Sequence, residues 1–358
     1  MGSFFSEVMN SVVIDKINIA LILLSLIIAI YLPFELFIFA YAVLGPLHYL
    51  TEIRWLREKE YFLQQKKNIW FFVIASIYMS LHTLLALPFV KALMDQETLM
   101  TIENFCNRTN FPLPFVMFFF AIIHPYCSKI SHSFLALFAC IATSVFFTYY
   151  VPSVIIFMGL LLPTILHVYV FTLLFMVFGI KSTHKTPARI AVGLMCIVPL
   201  FIVFVPIAPQ DYVLSTSLIS TYLESNFAYV NAHIAKIFGQ ELQDTTMLLY
   251  SPLGLKIQIF VAFAYTYHYL NWFSKTSIIG WSKSITRQSF IAIIVMWIFS
   301  IGLYAYDYKT GLTALFFLSY LHVFLELPLN AKSLNHLFFS QRYTQNKPSR
   351  KYAFISWV

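Results

Sequence analysis

Charged side chains are scarce in this sequence: Asp, Glu, Lys and Arg make up 11% of its 358 residues, against about 25% in an average soluble domain. With 60% hydrophobic residues and a mean hydropathy of +0.77, that shortage excludes an ordinary soluble globular domain. Alternating ten-residue segments are absent too, which removes a membrane β-barrel. Cysteine is rare: Cys106, Cys127, Cys140 and Cys196 show no C-x-x-C spacing and fall in or beside apolar segments, so we read them as unpaired small hydrophobes. Residues 1–16 lack the basic region, short apolar core and small-residue exit of a cleavable signal, so the first apolar segment is expected to remain in the mature chain. The net charge of +8 points to basic loops on one side of a membrane rather than to nucleic acid.

What is present is a series of long apolar segments. They run from about residue 17 to 32, 34 to 51, 69 to 90, 113 to 127, 133 to 150, 153 to 180, 188 to 208, 255 to 273, 289 to 306 and 311 to 328. Hydrocarbon leaves no partner for a free backbone group, so spanning segments of this length are helices. The expectation is an all-α polytopic membrane bundle of nine or ten transmembrane helices, in a single domain over 1–358. The count turns on Pro33, which marks either a kink in one long helix or a tight hairpin between two.

Loop charge sets the orientation. Arg54, Arg57, Lys59, Lys66 and Lys67 crowd one loop, Lys181, Lys185 and Arg189 a second, and Lys275, Lys283 and Arg287 a third. Lys332, Arg342, Lys347, Arg350 and Lys351 belong to the basic tail 329–358. Counting crossings puts all four on one side, the cytoplasmic one, including the C-terminus. The loops 91–112 and 209–254, with Asp95, Glu97, Glu103, Asp211, Glu224, Glu241 and Asp244, face outward. Within the second, Leu214 to Phe238 reads as an amphipathic helix on the outer surface. The expected location is a bacterial inner membrane, with membrane lipid as the surroundings and the oligomeric state left open.

The sharpest chemistry is a pair of His-x-x-x-Glu motifs, His48 with Glu52 and His322 with Glu326, both inside apolar segments. Residues i and i+4 share a helix face, so each pair addresses one point. Ionisable groups inside membrane helices mark sites by default. Depth sorts them: His48 lies six residues before Arg54, His124 five before Lys129, His268 seven before Lys275 and His322 ten before Lys332. At about 1.5 Å per residue the four share one level in the cytoplasmic half. His167, nearer the midplane, is placed to complete the cluster from above, whereas His82 belongs to the outer half of its helix. Neutral imidazole suits iron, zinc or copper, and the two carboxylates either ligate directly or hold the outer ring N–H of a ligand. Tyr49, Trp55, Tyr265, Tyr267, Tyr269, Trp272 and Tyr320 stand near the histidines and would line an apolar cavity.

Gly45-Pro46-Leu47-His48-Tyr49-Leu50-Thr51-Glu52 resembles the Gly-x-x-His-x-x-x-Asp stretch of the Brp/Blh family, multi-pass membrane enzymes that cleave β-carotene centrally with oxygen to retinal. Ala121–His124 is similar to that family's second histidine segment, Phe263–His268 to its third, and Ser319–Glu326 to its last, in the same order. The resemblance implies non-haem Fe(II) held by His48, His124, His268 and His322, and dioxygenase activity on a lipophilic, carotenoid-like polyene. The chain departs from the pattern in several places. Glu replaces Asp at Glu52 and Glu326, no acid follows His124, and Trp272 stands where a second histidine of the third segment is expected, leaving His322 or His167 as the replacement ligand.

On these grounds we expect an O2-dependent, non-haem iron oxygenase, with Glu52 and Glu326 as the acidic residues of its catalytic centre. Two rivals stand beside it. One is a di-iron hydroxylase or desaturase acting on a lipid, favoured if a glutamate ligates directly. The other is a non-enzymatic transporter that moves protons or metal through intramembrane His and Glu.

Overall fold

A computed structural model describes residues 2–58, 69–85, 87–181, 186–240, 249–276 and 285–339. Among these residues the secondary structure is helical, with no strand. Lys59, Lys66, Lys67, Lys185, Glu241, Asp244, Lys283 and the tail from residue 340 lie outside the described residues.

Among the described residues, seven helices are long and apolar enough to cross a membrane: Val12–Tyr31, Pro33–Arg57, Ile130–Tyr150, Pro152–Ile180, Thr186–Phe204, Arg287–Tyr306 and Tyr308–Leu334. The number is eight if Gln96–Thr109 and Pro112–Tyr126, bent by 47°, form one span. Several apolar helices thus make a multi-pass membrane bundle, with fewer qualifying spans than the nine or ten segments read from the sequence. The difference has two sources. Ile69–Leu85 is only 17 residues long, and Pro252–Lys275, long enough at 24 residues, carries Lys256, Gln258, His268 and Asn271 along its length. At Pro33 the chain makes two helices: Leu32 leaves the helical region (φ −135°, ψ 59°) and Pro33 opens the next helix, where its missing N–H costs nothing.

The described residues fall into two compact units, one taking 2–48 and 168–301, the other 49–167 and 302–339. In the first, Pro252–Lys275 is the central helix, buried on nearly every face. Gly2–Tyr31, Pro33–Phe39, Thr186–Phe204 and Phe227–Ile237 pack against it. Its polar residues find partners there: Tyr267 Oη donates to Asn18 Oδ1 at 3.2 Å, and Gln258 Nε2 donates to the Pro33 carbonyl at 2.9 Å. The helix expected over Leu214–Phe238 is two shorter ones, Thr216–Glu224 and Phe227–Ile237, because Asn226 adopts the left-handed conformation (φ 59°) between them. Tyr222 and Asn231 reach inward from these helices, and both bond Gln258 Oε1.

In the second unit, Tyr308–Phe339 packs along Ile69–Leu85 and Pro112–Ile123. Pro152–Leu161 approaches the start of Pro112–Ile123 closely at Gly159, where a Cβ would stand 2.5 Å from the Phe111 carbonyl oxygen. Glycine is required there by the approach of the two backbones.

Candidate metal centre

Two stretches of π-helix, Ala40–Leu44 and Leu162–Phe171, interrupt otherwise α-helical spans. The first ends one turn before His48, and the second contains His167. A π-turn adds a residue to the ring and re-aims the side chains beyond it, a device that recurs at functional sites. Both histidines are buried, as are His268, His322, Glu52 and Glu326.

Within the first unit, His268 Nε2 stands 3.0 Å from His48 Nε2. Tyr269 packs on the His48 ring at a centroid distance of 5.0 Å and Trp272 at 5.7 Å, edge to face. His268 Nδ1 is 2.8 Å from Thr172 Oγ1. Gly45, one turn before His48, admits the Tyr269 hydroxyl, which would lie 3.2 Å from any Cβ at that position.

Within the second unit, His167 Nε2 stands 3.1 Å from His322 Nε2, and His167 Nδ1 meets Glu326 Oε2 at 2.8 Å. A carboxylate beside that nitrogen is placed to orient the ring, and the Nε2 edge of His167 faces His322. The other edge of the His322 ring lies beside the carbonyls of Leu318 and Ser319, one turn back. Tyr49 packs near that ring, 5.7 Å between centroids. Glu52 and Glu326 are near enough for their charges to interact.

This donor set fits a metal ion. Two ring nitrogens about 3 Å apart are spaced for neighbouring positions on one ion, because bonds of about 2.1 Å meeting near 90° span that distance. Two buried carboxylates within range of each other call for compensating positive charge. Among the described residues, His48 and His268 in the first unit and His167, His322 and Glu52 in the second are buried and offer metal-ligating atoms.

His124 belongs to none of these groups. It sits on the short turn His124–Tyr126, with its ring against Phe72 and Phe120 at 6.3 and 5.5 Å. The charge of Lys332 reaches it, and Lys332 leaves its helix about 240° round from Glu326. His82 is half-buried on Ile69–Leu85 and also lies outside the groups.

Thr172, which the sequence did not single out, stands at the site, and Asn330 follows on the helix that carries Glu326. Thr172 meets His268, and nothing in its spacing marks it, since it follows a π-helical stretch. Asn330 lies one turn beyond Glu326 and is fully buried with both amide atoms lacking a hydrogen-bond partner among the described residues. The spacing His322, Glu326, Asn330 was a legible signal for it.

Comparison of the chain with family models, with characterised proteins and with solved structures finds no match.

Proposed function

We propose that this chain is a multi-pass membrane oxygenase whose iron is held by buried histidines, with the pair His48 and His268 and the pair His167 and His322 as the candidate ligands. Its substrate is a lipophilic, carotenoid-like polyene cleaved with dioxygen. The observation that carries this reading is the pair of buried Nε2 to Nε2 contacts at 3.0 and 3.1 Å, each joining residues far apart in the sequence, inside apolar helices where an isolated imidazole is costly. The resemblance of Gly45–Glu52 and Ser319–Glu326 to the Brp/Blh family supports the substrate class.

Bound iron(II) would supply redox chemistry with dioxygen on neutral nitrogen ligands. The protein's own part is to hold those ligands and to keep water out. Glu326, 2.8 Å from His167 Nδ1, is placed to orient that ring and to turn its Nε2 edge towards the metal. Tyr269 and Trp272 wall off His48 with aromatic rings, and such apolar surroundings suit a hydrocarbon substrate arriving from the bilayer.

For topology, we propose that Ile69–Leu85 and Pro252–Lys275 also cross the membrane, which, added to the seven or eight apolar spans, gives nine or ten crossings. The C-terminus then lies on the cytoplasmic side of a bacterial inner membrane, as the basic loops require.

The test is direct. Purified protein reconstituted with iron(II) is incubated with β-carotene in detergent under air and under argon. Oxygen-dependent loss of the polyene absorbance with appearance of retinal supports the proposal. Full retention of the polyene, with oxygen-dependent hydroxylation of a lipid instead, would move the chain to the hydroxylase class.

A further inference from the structure

We propose that Thr172 is a positioning residue that holds His268 as its Nδ1–H tautomer and thereby presents the Nε2 lone pair for metal binding. The second clause rests on the reading of His268 as a ligand. The first stands on hydrogen-bond geometry alone.

A threonine hydroxyl has one proton and two lone pairs. Thr172 Oγ1 lies 2.9 Å from the carbonyl oxygen of Val168, four residues earlier on its own helix. A carbonyl can only accept, so the hydroxyl proton is spent there. What Thr172 offers His268 is a lone pair, and the contact of 2.8 Å to Nδ1 requires that nitrogen to donate. A neutral imidazole with its proton on Nδ1 has a bare Nε2, and this is the nitrogen 3.0 Å from His48 Nε2. Both Thr172 and His268 are buried, so bulk water does not compete for either bond.

The fold places the hydroxyl at a change of helical register. Leu162–Phe171 is π-helical and Thr172 opens the α-helix Thr172–Lys181. In the second unit an acid, Glu326, stands 2.8 Å from His167 Nδ1, where in the first a neutral hydroxyl meets His268. A neutral acceptor orients the ring without adding negative charge behind it, so the two imidazoles differ in donor strength.

The experiment uses full-length protein in detergent, labelled with 15N-histidine and free of metal. The signals of His268 are assigned by their loss in His268→Gln. The proposal expects a protonated Nδ1 and an unprotonated Nε2 in the native protein and in Thr172→Ser, with the population moving towards Nε2–H in Thr172→Val. An Nε2–H signal in the native protein, or an unchanged spectrum in Thr172→Val, overturns it. In parallel, titration with iron(II) or cobalt(II) should show affinity about 10- to 100-fold weaker in Thr172→Val, with Thr172→Ser restoring it. The expected tautomers in a protein that binds no metal would uphold the positioning of His268 and overturn the ligand reading instead. The native spectrum decides the first clause even if Thr172→Val fails to fold.

Discussion

Nδ1 of His167 lies 2.8 Å from Oε2 of Glu326, an imidazole–carboxylate contact in which both side chains are buried. Such a partner fixes the ring's orientation and tautomer and raises its basicity. Glu326→Ala should therefore weaken metal binding by about 10- to 100-fold. Glu326→Gln, whose amide oxygen can still accept, should weaken it less. Titration of the two variants with cobalt(II), followed by its visible bands, checks the order.

The histidines should separate into two groups. His48→Ala and His268→Ala each remove one member of a 3.0 Å pair and are expected to abolish stoichiometric metal. His82→Ala should retain it, as should His124→Ala, whose ring packs on Phe72 and Phe120. Equal metal content in all four variants would dismiss the ligand assignment.

The fold was legible in the sequence mainly where the hydrophobic pattern was unbroken. Segments such as 133 to 150 and 289 to 306 return as Ile130–Tyr150 and Arg287–Tyr306 with only small shifts at their ends. The pattern overran at 69 to 90, where the helix starting at Ile69 ends at Leu85. It also hid the break at Asn226, because a single residue in the left-handed region leaves the amphipathic spacing on either side intact. Apolar periodicity reports which face is buried and says little about where the backbone turns.

For the site, the i to i+4 spacing of His322 and Glu326 was sufficient to link them to one place. What depth along a helix could not resolve was azimuth. His124 was grouped with the others by its distance from Lys129, and its ring packs on Phe72 and Phe120. His167 was expected to complete the cluster from nearer the midplane, and the structure brings it to His322. Its place inside a π-helical stretch changes the register by which depth was counted.

Glycines offer a test of the packing that does not depend on metal. A Cβ at Gly159 would meet the Phe111 carbonyl oxygen at 2.5 Å, whereas one at Gly193 meets nothing within 4 Å. Gly159→Ala should cost about 1–3 kcal/mol or more, and Gly193→Ala should be neutral or mildly stabilising, as expected for alanine in a helix. Thermal unfolding midpoints of both variants in one detergent compare them directly.

Tyr222 closes a buried network with Asn231 and Gln258, and Gln258 in turn donates to the Pro33 carbonyl. Tyr222→Phe keeps the ring packing against Phe34 but removes a donor from Gln258. A loss of about 1–2 kcal/mol is expected, with metal content unchanged, as read by thermal unfolding and elemental analysis of the same sample.

The most direct measurement is elemental analysis of the full-length protein purified without chelator, expressed as moles of metal per mole of chain. The account predicts about one iron, lost in His48→Ala and in His322→Ala. Protein that is folded and free of bound metal, and that takes up none when iron(II) is supplied, would contradict it and leave the proton-coupled transporter as the better reading.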